Sequence, residues 1–137
     1  MHFVFAVIFV VCTVPALGVA HAQNPGGSPE GKKLKNTVPS SATSIAAGEK
    51  TFQKMCAFCH GKDATGNGPM APKGSTPSNL VDDKWDLGST DGDIFLVIRD
   101  GAGPKSVMKG YKGKFTDEQI WHMVNYLRSL ANETKPQ

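Results

Sequence analysis

The chain is short of the residues on which most folds rely. It has 137 residues, of which only 8% are aromatic and 3 are cysteine. Its apolar residues are unevenly distributed, because 17 of them fall within residues 1–22 and only about a third of the remaining residues are apolar. This length excludes a barrel enzyme, a solenoid and a two-domain oxidoreductase. A small domain with so few apolar side chains needs an additional source of stability, such as a disulfide, a metal or a cofactor.

Residues 1–22 contain no Lys, Arg, Asp or Glu. A long apolar run is followed by a P-x-x-G step and by the small-x-small sequence A-H-A, which ends at Ala22. This pattern is typical of a secretory signal peptide cleaved after Ala22, although the n-region lacks a basic side chain. The alternative is an uncleaved anchor, because residues 3–20 are long enough to span a membrane. In both cases we predict a periplasmic or otherwise extracytoplasmic location for the rest of the chain.

The next segment, residues 23–44, is rich in Pro, Gly, Ser and Lys and has almost no large apolar residue. Such a composition cannot offset the entropy of ordering, so we predict a flexible linker. We place the folded domain at residues 45–132 and a disordered tail at residues 133–137. The mature chain then has two cysteines, because Cys12 lies in the predicted signal peptide.

Three segments of the domain have helical patterns. The predicted helices cover residues 45–57, 93–99 and 117–131. The third begins at a T-x-x-Q capping box at Thr116 and has one apolar stripe. The second could be a buried strand by its pattern alone, but no partner strand is visible. We therefore predict an all-α class of three to four helices, with long Gly- and Pro-rich loops that need something else to pack on.

Residues 56–60, C-A-F-C-H, form a C-x-x-C-H sequence, which is the attachment signature of a covalent haem. Thiols three residues apart fit on about one helical turn and can reach the two vinyl groups on one edge of a haem. Each thiol of Cys56 and Cys59 adds across one vinyl group to form a thioether, and the His60 imidazole can bind the iron. The predicted export agrees with this, because haem is attached to such sequences outside the cytoplasm.

Three alternatives compete for this cysteine pair. A redox dithiol usually begins a helix after a strand, whereas this pair ends a predicted helix. A zinc site needs further ligands at finger-like spacing, and the mature chain offers only His122. A chance match to so short a motif is the third alternative. The surrounding residues therefore decide among these interpretations.

Those residues resemble the class I cytochrome c family over about residues 46–130. In that family a Gly and an aromatic residue precede the first Cys by eight and four positions, and here these are Gly48 and Phe52. An aromatic–Leu pair on the last helix crosses them, and here the pair is Tyr126-Leu127. The resemblance implies a small cytochrome c-like fold, with loops wrapped around one haem c attached through the two cysteines.

The resemblance also implies a second iron ligand. Met108 lies 48 residues after His60, just ahead of the last helix, as the family's ligand Met does. A thioether ligand raises the reduction potential relative to a second His. The other methionines of the mature chain are weaker candidates: Met55, Met70 and Met123. The family usually has Pro after the ligand Met, whereas here Lys109 follows.

Two further contacts follow from the same resemblance. The turn that ends at Pro69 resembles the family's Gly-Pro turn, in which a Pro carbonyl accepts a hydrogen bond from the haem His. Pro72 and Pro77 are the alternatives to Pro69. The indole N–H of Trp85 could reach a haem propionate, as a family Trp often does, or its ring could simply pack on the haem.

An iron held by six strong ligands has no open site. We therefore predict one-electron transfer and no enzyme activity. We expect redox protein partners and no nucleic acid, and a membrane contact only if residues 1–22 are retained. Four lysines near the Met108 loop suggest docking to an acidic face: Lys105, Lys109, Lys112 and Lys114.

Two other functions compete with that of a free carrier. The first is a tethered haem c subunit of a larger dehydrogenase or terminal oxidase complex, in which residues 23–44 act as the tether. The second is a haem enzyme or ligand sensor in which an external ligand displaces Met108. Binding of carbon monoxide by the reduced protein at neutral pH would favour that last function.

Overall fold

The structure is a computed structural model, and it describes residues 27–133. Within this range the chain forms five helices and no strand, with only two isolated β-bridges. The helices are α1 (Pro29–Lys33), α2 (Ala42–Met55), α3 (Ala57–His60), α4 (Asp91–Asp100) and α5 (Asp117–Glu133). The predicted all-α class is confirmed. The predicted signal peptide and the last four residues of the predicted tail lie outside the described residues.

Side-chain caps explain where the longer helices begin. The Ser41 hydroxyl accepts a hydrogen bond from the backbone N–H of Ser44, so α2 starts three residues before the predicted position. Thr90 and Asp93 form a reciprocal capping box at the start of α4. The predicted box at α5 is present, because Thr116 N–H donates to Gln119 Oε1 (2.9 Å) and Gln119 N–H donates to Thr116 Oγ1 (3.2 Å).

The crossing of α2 over α5 is the central packing contact of the fold. Gly48 lies directly against the backbone of α5, where an added Cβ would come within 2.6 Å of the carbonyl carbon of His122. This close approach requires glycine. The rings of Phe52 and Tyr126 meet beside it in a tilted arrangement, with centroids 5.4 Å apart. The predicted helix crossing is therefore confirmed.

The predicted flexible linker is wrong for residues 27–44. This segment contains α1, continues into α2, and packs Leu34 and Val38 against the core. Two buried polar side chains hold its backbone. Asp93 Oδ1 accepts the N–H of Ser28 (2.9 Å), and Asn125 Nδ2 donates to the carbonyl oxygen of Val38 (3.1 Å). Because Asp93 and Asn125 are buried and need hydrogen-bond partners, these bonds stabilise a segment whose own composition could not.

The core lies between α2, α4 and α5. Phe95 of α4 stacks on Trp121 of α5, with ring centroids 4.2 Å apart, and Met123 and Val124 are almost completely buried. His122, the further ligand that a zinc site would have needed, is half-buried on α5, and its Nδ1 lies 2.8 Å from the Ser44 hydroxyl. None of the helices between residues 27 and 133 is long and apolar enough to cross a membrane.

Candidate haem site

The C-x-x-C-H sequence forms a short helix of its own. Cys56 ends α2 and begins α3, and its carbonyl oxygen accepts hydrogen bonds from the N–H groups of Cys59 (3.1 Å) and His60 (2.9 Å). Gly61 then ends the helix with φ near +81°, a conformation that favours glycine. The two thiols therefore lie within one turn, with the imidazole next to the second thiol, as the sequence predicted.

The imidazole of His60 is held by a backbone carbonyl on the far side of the following loop. Nδ1 of His60 lies 3.0 Å from the carbonyl oxygen of Ser78. When Nδ1–H donates this bond, Nε2 carries a free lone pair, which is the arrangement that a ligating histidine needs. Burial lowers the pKa of His60, and the bond to Ser78 opposes this only in part. The neutral ring is therefore favoured.

This contact corrects the prediction for Pro69. Pro69 is exposed, and its turn packs elsewhere. Gly68 N–H donates to the carbonyl oxygen of Cys59 (3.0 Å), and Met70 N–H donates to that of Phe58 (2.8 Å). The turn therefore braces the outer side of α3. Pro77, one of the two alternatives to Pro69, immediately precedes Ser78. It therefore lies one residue before the carbonyl group that contacts His60.

A cavity of about 500 Å³ opens beside α3. Its lining includes both cysteines and His60, the apolar side chains of Ile94, Ile98 and Leu127, and Met108 of the loop before α5. Residues of the loop 75–88 also line it. This volume lies within the range of cofactor pockets, which are mostly apolar with a few polar groups. The cavity brings together residues from five separate parts of the sequence.

Met108 lines this cavity and is half-buried. Its loop is held in place by two hydrogen bonds: Met108 N–H donates to the Ser106 side chain at Oγ (3.1 Å), and Ala102 N–H donates to the carbonyl oxygen of Met108 (3.0 Å). Of the weaker candidates, Met70 is 66% exposed and lies outside the cavity lining, and Met123 is buried in the core. Met55 lines the cavity beside Cys56, on the attachment side.

Trp85 also lines the cavity, but its indole N–H is already used. Nε1–H donates to the carbonyl oxygen of Asp82 within the same loop (3.0 Å). This bond favours the packing interpretation of Trp85 over that of a propionate donor. Tyr111, which no sequence pattern singled out, also lines the cavity, and it stacks on Phe115 with ring centroids 5.1 Å apart. Its position three residues after Met108 could have indicated that it lies near the proposed haem.

The chemistry of the donor set fits a haem. Two thiols, one imidazole with a free Nε2 and one thioether surround an apolar cavity, and soft or imidazole donors suit iron in a haem. A reactive redox dithiol requires a depressed thiol pKa, whereas burial, aided by the nearby Cys59, raises the pKa of Cys56 to about 11. Between residues 27 and 133, no cluster of three His, Cys, Asp or Glu side chains is placed to hold a metal ion.

The profile of the family described as cytochrome C oxidase, cbb3-type, subunit III, matches residues 43–127. The chain belongs to this family of c-type cytochrome domains. Its cofactor is haem c, and the spacing of Cys56 and Cys59 fits covalent attachment through both thiols. The predicted resemblance, fold class and cofactor are thereby confirmed.

Individual relatives of this cytochrome domain carry it within longer chains. Subunit FixP of the cbb3-type cytochrome c oxidase from Bradyrhizobium sp. (strain ORS 278) is 35% identical over 86 residues, which are 63% of this chain and 27% of FixP. The cytochrome c subunit of the quinone alcohol dehydrogenase from Gluconobacter oxydans is 27% identical over 92 residues, which are 66% of this chain and 19% of that subunit. The chain thus spans less than a third of the length of these relatives.

A solved cytochrome has the same fold. The crystal structure of cytochrome cL from the marine methylotroph Methylophaga aminisulfidivorans is 27% identical to this chain, with a TM-score of 0.54. The similarity covers 74% of this chain and 65% of cytochrome cL. The cytochrome fold therefore extends over most of the residues that the structure describes.

Proposed function

We propose that this protein is an exported monohaem c-type cytochrome that carries single electrons between redox partners. One observation carries the proposal: a single apolar cavity is lined by Cys56, Cys59, His60 and Met108. Haem c, when bound, supplies a one-electron iron centre. The chain contributes the two thiols that hold the cofactor, two side chains that can ligate its iron, and walls that exclude water.

The proposed ligands are His60, through Nε2, and Met108, through its sulfur. Support for His60 comes from the hydrogen bond between Nδ1 and Ser78, which fixes the ring and leaves Nε2 free. Support for Met108 comes from its place in the cavity lining and from its braced loop. With both ligands in place, no site remains for a substrate, so the domain itself acts in electron transfer rather than catalysis.

Electrons leave at the surface beside the cysteines. The large hydrophobic side chains that are exposed among residues 27–131 all adjoin proposed haem contacts: Met55, Phe58, Met70 and Val107. Met70 is 66% exposed, and its carbonyl oxygen lies 3.8 Å from Cys59 Sγ. An apolar centre of this kind, together with the exposed lysines 105, 109, 112 and 114, suits a partner with an acidic rim.

The lysine docking can be tested with a purified cbb3-type cytochrome c oxidase as the acceptor. The rate of oxidation should fall as ionic strength rises, because salt screens the attraction between exposed charges. Lys105→Glu should lower the rate at low salt, whereas Lys50→Glu, at an exposed position of α2 that does not line the cavity, should not. A rate that is independent of salt and of Lys105 contradicts the docking role.

The proposed location outside the cytoplasm rests on the signal-peptide pattern of residues 1–22 and on the attachment chemistry of haem c. The tethered-subunit alternative draws support from the relatives, which are named as subunits of an oxidase and of a dehydrogenase. Size measurement of the protein extracted from its native cells distinguishes the two. A free carrier runs near the mass of the single chain, whereas a subunit runs with its complex.

An optical spectrum tests the proposed function directly. The full-length chain, produced with haem-attachment machinery, should show the α-band of a haem held by two thioethers and the near-infrared absorption of a ferric Met–His haem. Met108→Ala should remove the near-infrared absorption, and the matched control Met70→Ala should retain it. If the absorption survives Met108→Ala, the ligand is another residue. If no haem is attached, the proposed function is wrong.

A further inference from the structure

The wall of the haem cavity that contains Trp85 has no regular secondary structure. It belongs to the long stretch between α3 and α4, in which Trp85 is the largest side chain. The hydrogen bond from Trp85 Nε1–H stays within this stretch, at Asp82, and does not attach the indole to a helix. A wall built this way needs an outside contact to keep its position.

Trp85 packs partly against the core, and Arg128 of α5 supplies a polar outside contact. The guanidinium carbon of Arg128 lies 5.8 Å from the centroid of the Trp85 ring. Its Nε–H donates to Asp91 Oδ1 (2.7 Å), and its Nη2–H donates to the carbonyl oxygen of Ser89. One side chain of α5 therefore contacts the end of the loop, the first turn of α4 and the indole at the same time. A planar guanidinium can stack on a ring while its N–H groups donate hydrogen bonds in two other directions, and a lysine ammonium cannot.

We propose that Arg128 is a positioning residue that holds Trp85 against the haem, and so keeps water away from that side of the cofactor. The inference rests on the proposed haem site. Solvent access and local polarity are among the factors that set the reduction potential of a haem protein. Water stabilises the more highly charged ferric state, so a loosened Trp85 wall lowers the potential.

A direct charge effect of Arg128 is the competing explanation. The carboxylate of Asp91 lies 2.7 Å from Nε of Arg128, so the pair as a whole carries little net charge. Both side chains are also partly exposed, at 33% and 41%, and solvent screens what field remains. The two explanations differ in what Arg128→Lys does. This variant keeps the charge but cannot make all three contacts.

The test uses the haem-loaded, reduced protein and follows hydrogen exchange at the indole N–H of Trp85 by NMR. Arg128→Ala should accelerate this exchange about tenfold, which corresponds to about 1.4 kcal/mol in the opening equilibrium. The indole N–H of Trp121, in the core, is the internal reference and should not change. Arg99→Ala is the matched control, because the chain's only other arginine also pairs with an aspartate and lies over an aromatic ring, Phe95.

The reduction potential completes the test. The positioning role requires that Arg128→Ala and Arg128→Lys both accelerate exchange at Trp85 and both lower the potential. It is overturned if Arg128→Ala leaves Trp85 exchange unchanged, if Trp121 exchange rises equally, or if Arg128→Lys behaves as the wild type. The proposed function instead fails on the wild-type protein, through absence of attached haem, so the two failures are distinguishable.

Discussion

Gly48→Ala tests the crossing of α2 and α5, on which both cysteines depend because α2 ends at Cys56. An alanine Cβ at this position would come within 2.6 Å of the His122 carbonyl carbon, closer still to its oxygen, and within 2.9 Å of Tyr126 Cβ. Real Cβ atoms essentially never approach neighbours closer than 3.0 Å. The obstacle is backbone, which no rotamer change can move. The helices must therefore part, by up to about 1 Å.

Two opposing contributions decide the size of the effect. Alanine is favoured over glycine in a helix interior by about 1 kcal/mol. Against this, a gap of about 1 Å forfeits up to about half of the dispersion attraction across the crossing. Phe52 and Tyr126 meet there, and overpacking a close contact typically costs about 1–3 kcal/mol or more. We expect a net destabilisation of about 2 kcal/mol, or about 10 °C in Tm.

Urea unfolding of the haem-loaded protein, followed by far-UV circular dichroism, measures this free energy. Glu49→Ala is the matched control, since Glu49 is the next residue of α2 and is exposed. It should stay within about 0.5 kcal/mol of the wild type. If Gly48→Ala unfolds at the same urea concentration as Glu49→Ala, the two helices are not in backbone contact and the reasoning fails.

Three further variants probe other parts of the fold. Asp93→Ala removes the acceptor of the Ser28 N–H, so limited proteolysis should cut the segment before α2 faster than in the wild type. Hydrogen bonds from Thr65 lower the pKa of Asp63, and NMR titration of Thr65→Val should show that pKa returning upward. A chain with both attachment cysteines changed to Ser should lose compact structure, and a cooperative urea transition without haem would contradict this.

Much of the fold and of the candidate haem site was predictable from short sequence patterns. The C-x-x-C-H spacing places both thiols on one turn whatever surrounds them, because about 3.6 residues form a helical turn. The capping box at Thr116 and the apolar stripe behind it likewise depend only on neighbouring residues. Gly48 and Phe52 were identifiable through the resemblance to class I cytochromes c, from their offsets to Cys56. These features need no knowledge of where distant segments lie.

The carbonyl group that contacts the His60 imidazole could not be predicted from neighbouring residues. Several carbonyl groups in the loop after α3 could have met the imidazole, and the backbone path of that loop selects Ser78. Gly66, with φ near +90°, turns the chain where Pro77 O lies against it, so the loop returns to α3. Backbone carbonyls are present at every residue, so the sequence alone could not distinguish Ser78 from Pro69.

The segment before α2 shows how composition can mislead. Residues 27–40 look like a linker because they contain almost nothing to bury, yet their backbone is bound by Asp93 and Asn125, which are both almost completely buried. A buried carboxylate or amide must find partners, since leaving it unpaired costs about 1–3 kcal/mol or more. Asn125 stands among the apolar side chains of the α5 stripe. A polar residue in that place indicates a missing polar partner, and the segment's backbone supplies it.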